Sequence, residues 1–247
     1  MRVDALVTVV PLRGGAQTAV CGRFTLTVPP AQIADAFDLD EAPDLRPRFN
    51  LAPGQEIATV QQAPEGGRAL VRRRWGLVPS WAKDPKIGSR LINARSETVA
   101  EKPAFRAAFK RRRCLVPADG FYEWAVTPRG PKQPHHLRRR DRGLFAIAGL
   151  WERWRVGEER GLETCTLLTT EANATVAPIH RRMPVILAPA DWPVWLNPEV
   201  DDKEVLTLLL VPEPEGLLES HPVGLRVNRP EHDDETCLAP PEQETLF

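Results

Sequence analysis

Disulfide and zinc chemistry are the first things this sequence has little means to support. Its four cysteines, Cys21, Cys114, Cys165 and Cys237, are scattered and include no Cys-x-x-Cys pair. That argues against a disulfide scaffold and against structural zinc, and it fits a reducing, cytoplasmic setting. No apolar run approaches the roughly 20 residues that a bilayer-crossing helix needs, so no membrane partner is expected. Net charge is also absent, since 33 Lys and Arg balance 33 Asp and Glu. Neutrality does not exclude nucleic acid, because binding depends on a local basic face. Arg72-Arg73-Arg74, Lys110 to Arg113 and Arg138-Arg139-Arg140 are such clusters, although solvated helix and strand faces account for them equally simply. Repeats, heptads and a large apolar surface helix are missing, so the expectation is a monomer with no metal and no cofactor.

What is present is an ordinary globular composition, 42% hydrophobic and 27% charged. Twenty-five prolines point to turns and irregular connections rather than a helical bundle. Thr25-Leu26-Thr27-Val28 alternates as a strand does, and Pro29-Pro30 then opens a short helix through Phe37. Further strands are expected over 70–77, 114–116, 121–124, 144–150, 164–169, 183–187 and 222–227, with a turn at 117–120. Helical spacing runs from Glu97 to Phe109 and from Asp202 to Leu210, where an aspartate suits the positive end of the helix dipole. Strands outnumber helices and do not alternate with them, so the fold class is α+β. One domain is expected from Cys21 to about Pro230, followed by an acidic, frayed tail over 231–247.

Residues 1–20 do not read as part of that domain. The apolar run Ala5 to Val10 is short for a secretory signal, and Asp4 spoils its basic start. Val20 can be encoded by GTG, an alternative bacterial start codon read by initiator methionine. Removal of that methionine would leave Cys21 as the first residue; a cleaved propeptide and a genuine extension are the alternatives. The distinction matters because an N-terminal cysteine carries a thiol and an α-amine on adjacent carbons, a pair that captures aldehydes. Three other polar residues sit in loops or at strand ends. Asn93 reads most simply as a turn or helix-cap asparagine. Glu123, flanked by aromatics, either faces solvent or is held in a pocket that raises its pKa. His180, beside Arg181 and Arg182, is either structural or faces an anion.

Taken in order, a set of short motifs resembles one family. They are Cys21-Gly22-Arg23-Phe24, Asn50-Leu51-Ala52-Pro53, the run from Trp75 to Trp81, Asn93-Ala94-Arg95, the run from Pro117 to Trp124, Gly149 to Glu152, and Thr170 to Asn173 leading on to His180 through Pro184. The family is the SOS response-associated peptidase (SRAP) family of abasic-site processing proteins, and the likeness covers roughly residues 21–230. The departure is the extension, since in the family the cysteine follows the initiator methionine.

The resemblance implies a single SRAP-type domain with a mixed, mostly antiparallel curved sheet and short flanking helices. It implies a covalent thiazolidine cross-link between an N-terminal Cys21 and abasic sites in single-stranded DNA, shielding the lesion. Reversal, weak lyase activity and self-cleavage before Cys21 are implied beside it, as is association with the nucleoid when bound to DNA. By the same match, Glu123 moves protons, His180 assists sugar ring opening or meets the 3′ phosphate, and Asn93 holds the α-amine or the sugar oxygen. Arg23, Arg95 and Arg182 are the implied phosphate grips, and Trp81 and Pro53 an apolar wedge beside the lesion. Trp75, Trp124 and Trp151 read as core. Two other readings stay open: a cysteine peptidase built on Cys21, His180 and Asn93, the residue types of papain-like enzymes, and a non-catalytic single-strand DNA-binding module in which Cys21 is a packed thiol.

Overall fold

Short β-prone segments separated by proline and glycine build two sheets. The computed structural model describes residues 21–128, 130–154 and 161–242, so the expected leader over 1–20 lies outside the described residues. In chain order the strands are β1 (Phe24–Leu26), β2 (Arg48–Leu51), β3 (Glu56–Gln62), β4 (Arg68–Trp75), β5 (Asn93–Arg95), β6 (Arg113–Ala118), β7 (Gly120–Ala125), β8 (Gln133–Arg139), β9 (Phe145–Trp154), β10 (Leu162–Glu171), β11 (Arg182–Pro184), β12 (Ile186–Leu187) and β13 (Leu218–Pro222). Four short helices flank them: α1 (Pro30–Phe37), α2 (Arg106–Arg111), α3 (Trp192–Leu196) and α4 (Lys203–Leu208).

The first sheet runs β13-β8-β7-β1-β2 and is antiparallel throughout. The second runs β11-β10-β4-β3-β6-β9-β12, and β9 pairs back onto β10, so that β10, β4, β3, β6 and β9 close a small barrel. Only the pairings of β10 with β4 and β5 are parallel. The expected α+β class with a mixed, mostly antiparallel sheet is what the chain forms. Val60, Val116, Ile147 and Leu167 are fully buried in the core, each contributing about 1.5–3 kcal/mol by leaving water. Arg73 turns inward from β4, bonded to Thr59 Oγ1 and Glu163 and lying over the Trp151 ring, while Arg72 and Arg74 face out. No helix among the described residues is long and apolar enough to cross a membrane.

Several local expectations give way to tertiary contacts. The segment at 117–120 is not a hairpin turn, because β6 and β7 belong to different sheets with only Asp119 between them. The Asp119 carboxylate accepts from Thr25 Oγ1 and from the backbone and hydroxyl of Thr27, and so fastens β1 at the point of crossing. Gly120 is needed there, since a Cβ would stand 2.1 Å from His136 Nε2. The helix expected over 97–109 forms only as α2, after turns around Pro103, which lacks an N–H to donate. The strand expected over 222–227 is instead the end of β13 and a 3₁₀ turn at Leu225–Asn228.

The acidic tail is corrected in the same way. Over 231–242 it is built into the fold, because Asp233 accepts from the peptide N–H groups of Phe49 (2.7 Å) and Asn50 (2.9 Å), and Cys237 is fully buried. Residues 243–247 lie outside the described residues.

Candidate active site

Register alone brings Cys21 to Glu123. The antiparallel pair β1–β7 matches Phe24 with Phe121 and Thr25 with Gly120, and the Tyr122 N–H donates to the Arg23 carbonyl at 2.9 Å. Running the two strands on in opposite directions sets Cys21 beside the start of Glu123-Trp124. There the Cys21 backbone nitrogen donates to Glu123 Oε1. Cys21 is fully buried, and its backbone lies at φ +46°, a left-handed conformation uncommon for residues with a Cβ.

Burial dominates the electrostatics of this corner. Glu123 is 2% exposed, and desolvation pushes its carboxyl up to about 8, against the opposing effects of the Cys21 hydrogen bond and the Lys132 charge. Burial, and then the Glu123 charge, hold the Cys21 thiol well above its ordinary range. The corner therefore contains a protonatable carboxyl poised near neutrality and an un-ionised thiol.

The corner opens into a cleft of about 500 Å³ lined by Arg23, Pro53, Glu123, Trp124, His180 and Asn228, with Lys132 at its edge. His180 arrives on a helical turn between β10 and β11, begun by Asn173 Oδ1 accepting from the Val176 N–H at 3.1 Å. His180 Nδ1 faces both the Arg182 N–H (3.1 Å) and the Arg182 carbonyl (3.3 Å), which fixes the ring against its own loop. Burial lowers the His180 pKa from its ordinary value, and neighbouring Arg181, Lys132 and Arg182 charges add to that. Arg23 is half-buried and its pKa is lowered by desolvation, with Glu231 opposing; its Nε has no partner among the described residues.

A second depression, about 610 Å³, lies beside the cleft, lined by Leu91 and Asn93 on either side of the cleft residue Ile92. Trp81, Asn93, Arg95, Lys102 and Phe105 line it. Asn93 and Arg95 are held there by parallel pairing of β5 with β10. Trp81 is 59% exposed, with its indole N–H 3.5 Å from the Pro103 carbonyl. A third depression, of about 520 Å³, shares Arg95 and adds Arg181 and Arg182. Arg95 and Arg181 are exposed, whereas Arg182 is paired through both terminal nitrogens with Glu97 and also donates to the Thr169 carbonyl.

The nine residues singled out in the sequence thus separate into two groups. Arg23, Pro53, Glu123 and His180 line the inner cleft, with Cys21 buried behind it on Glu123, while Asn93, Trp81, Arg95 and Arg182 line the adjoining depressions. Sequence reasoning passed over Trp124, Lys132, Asn228 and Lys102. Trp124, expected in the core, lies on the cleft wall with its indole N–H on Asn228 Oδ1 at 2.7 Å. Its place directly after Glu123 was the available signal. Lys132 and Asn228 carried none, being single residues in loops far from the motifs. Trp75 is buried as expected and bonds the Ile92 carbonyl. Among the described residues, no group of three or more His, Cys, Asp or Glu could hold a metal ion.

Comparison with known proteins follows the same motifs. The family model for SOS response associated peptidase (SRAP) matches residues 20–230. The chain is 42% identical over 222 residues to the abasic site processing protein YoaM of Bacillus subtilis (strain 168), covering 89% of this chain and 97% of that one. It is 34% identical over 230 residues to the abasic site processing protein HMCES of Gallus gallus, covering 79% of this chain and 66% of its relative. Among solved structures, a Bacteroides thetaiotaomicron protein superposes with a TM-score of 0.80 at 22% identity, covering 90% of this chain and 100% of that one. A Bordetella bronchiseptica protein does so at 0.71 and 25%, covering 83% and 100%.

Proposed function

The chain belongs to the SRAP family, and from that premise we propose that it captures abasic sites in single-stranded DNA through Cys21 as the first residue of the active form. The observation that carries this reading is the contact between the Cys21 backbone nitrogen and the buried Glu123 carboxyl, at the inner end of an open cleft. Freed from residue 20, that nitrogen becomes an α-amine, whose pKa of about 7.7–8.0 leaves a useful neutral fraction near neutrality. The left-handed torsion at Cys21, defined by the preceding carbonyl, also ceases to exist.

The chemistry closes without a cofactor. The amine adds to the ring-opened sugar aldehyde to give a carbinolamine, and loss of one water gives the imine. The thiol then adds across the C=N bond, sulfur to carbon and its proton to nitrogen, closing a five-membered thiazolidine. Glu123, its carboxyl raised by burial, donates a proton to the departing hydroxyl and accepts one from the thiol. His180, on the cleft wall, assists sugar ring opening or meets the 3′ phosphate, and Asn93 holds the sugar oxygen or the amine. Arg23 and Arg95 take phosphates, and Arg182 does so by exchanging Glu97 for one. Trp81 and Pro53 stack beside the gap left by the missing base. A papain-like pairing fits less well, because it needs a thiolate and a free imidazole nitrogen beside it. Here the thiol is held un-ionised and His180 Nδ1 is occupied.

Protein beginning at Cys21 is expected to give a heat- and denaturant-stable adduct with an abasic oligonucleotide. Cys21→Ser keeps only a borohydride-trappable imine. No adduct from wild-type protein beginning at Cys21 would overturn the proposal. The same Glu123 contact also favours removal of residues 1–20 by self-cleavage, since a protonated carboxyl stands at the nitrogen that must accept a proton when the bond to residue 20 is hydrolysed. Intact mass of the incubated 247-residue chain should then show loss of 1–20 in wild type and not in Glu123→Gln.

A further inference from the structure

Beyond β13 the chain returns to the candidate site as a strap over 223–239. Val223, Val227 and Cys237 bury themselves with Tyr122 in a small apolar cluster, against which Phe49, Trp124 and Leu238 pack. Two polar side chains tie the strap to β2. Asn50 Nδ2 faces three strap carbonyls, those of Val227 (3.1 Å), Arg229 (3.0 Å) and His232 (2.8 Å). Asp233 works in the opposite direction. Its Oδ1 accepts from the N–H groups of Phe49 and Asn50, and its Oδ2 from Arg48 Nε. The Tyr122 hydroxyl closes the group by donating to the Phe49 carbonyl at 2.8 Å.

What this latch holds in place lies in the cleft. Asn228, on the strap, accepts from the Trp124 indole at 2.7 Å, and both side chains line the cleft beside Glu123. Glu231, two residues before Asp233, supplies the negative charge nearest in effect to Arg23 on the same cleft. Asn228 is exposed and directly follows the buried Val227, whose carbonyl Asn50 holds, so its position follows the latch. Trp124, half-buried, packs against the strap's apolar cluster and donates its indole hydrogen bond to Asn228.

The geometry points to Asp233 as a positioning residue of the cleft: its carboxylate pins the strap to β2, and the pinned strap holds Asn228 against Trp124 as the wall along which a DNA strand lies. The inference extends the working site past residue 230, where the family match stops. Its functional readout rests on the DNA reading proposed above. The latch should therefore govern how tightly the oligonucleotide is held and leave the Cys21–Glu123 chemistry alone.

The test uses protein beginning at Cys21, with adduct formation followed against the concentration of an abasic oligonucleotide. Asp233→Ala should raise the half-saturating concentration about tenfold, as for loss of a charge-assisted hydrogen bond, with the maximal rate within about twofold of wild type. Asp233→Asn keeps an acceptor for the Phe49 and Asn50 N–H groups and should recover most of that loss. Asn228→Ala leaves the latch intact but removes its last link, and should reproduce the Asp233→Ala shift even if that variant folds poorly. Independently of any reaction, Asp233→Ala should red-shift tryptophan emission, and the shift should vanish in a Trp124→Phe background. An unchanged half-saturating concentration in both alanine variants overturns the inference. So does a loss confined to the maximal rate, or an emission shift that survives without Trp124. Absence of any adduct with wild type sinks the cross-linking proposal instead, and the emission measurement still decides the role of Asp233.

Discussion

Cys21 is fully buried beside Glu123 behind the inner cleft, whereas Trp81, on the neighbouring depression, is 59% exposed. In the first region a carboxyl and a thiol are desolvated enough to move far from their ordinary proton affinities. In the second Arg95, Lys102 and Trp81 stand in water, where charges are screened and flat rings are free to stack. Under the proposed function the difference corresponds to two tasks with opposed solvent requirements. Proton transfer near neutral pH calls for a carboxyl removed from water, whereas gripping a polyanion of any sequence calls for exposed cations and an aromatic face. On that reading one region serves the chemistry and the other the holding.

If that division is right, variants in the two regions should fail in different ways. The largest effect is expected from Glu123→Gln, which should slow adduct formation by about 10²–10⁴-fold. Its affinity for undamaged single-stranded DNA should stay close to wild type in a fluorescence-anisotropy titration. Equal damage to both would break the comparison.

Trp81→Ala should show the converse. Loss of one base stack, about 1–3 kcal/mol, weakens binding roughly 5- to 150-fold while the saturated rate is kept. Arg95→Ala is a smaller and more specific probe. It should reduce the slope of log affinity against log salt by about 0.7, the value for one phosphate contact on a single strand. A slope unchanged within error would remove Arg95 from the DNA path.

The smallest effect concerns stability, and its sign follows from Glu123. In the chain that retains residue 20, burial raises the folded pKa to about 8 from an ordinary value of 4.5, so the folded state binds the extra proton between those values. Stability contributed by that proton is fully present below about pH 4.5 and is lost as pH rises towards 8. Melting temperature should fall across that window, and Glu123→Gln should flatten the fall. In protein beginning at Cys21 the new ammonium group favours the carboxylate, so the window should move to lower pH. A slope identical in wild type and Glu123→Gln would show that another group is responsible.

Legibility from sequence was uneven, and the unevenness has physical causes. Helix α1 was readable because Pro29-Pro30 and the spacing of Ile33 and Phe37 are local signals. Strands β6, β9 and β10 were readable because they are buried on both faces and therefore apolar nearly throughout. Strands β2, β3 and β8 were passed over. β8 carries a proline and two charged or imidazole pairs, His135-His136 and Arg138-Arg139, and its pairing with β7 and β13 overrides those poor local preferences. The candidate site residues were selected through ordered motifs, not through local pattern. Taken singly, Asn93, Glu123 and His180 each had an ordinary structural explanation.

The order of motifs along the chain was enough to identify the family, the candidate nucleophile and the residues around it, because those depend on residue type and spacing. It was also enough for the α+β class, which follows from the count and alternation of elements. Folding was needed to show that Glu123 is removed from water and set on the Cys21 nitrogen, that Arg182 is already paired with Glu97, and that the acidic end of the chain forms a strap beside the cleft. Burial and pairing of a charge depend on groups distant in sequence, here 102 positions between Cys21 and Glu123. No local pattern carries that information; it arises when β1 and β7 come into register.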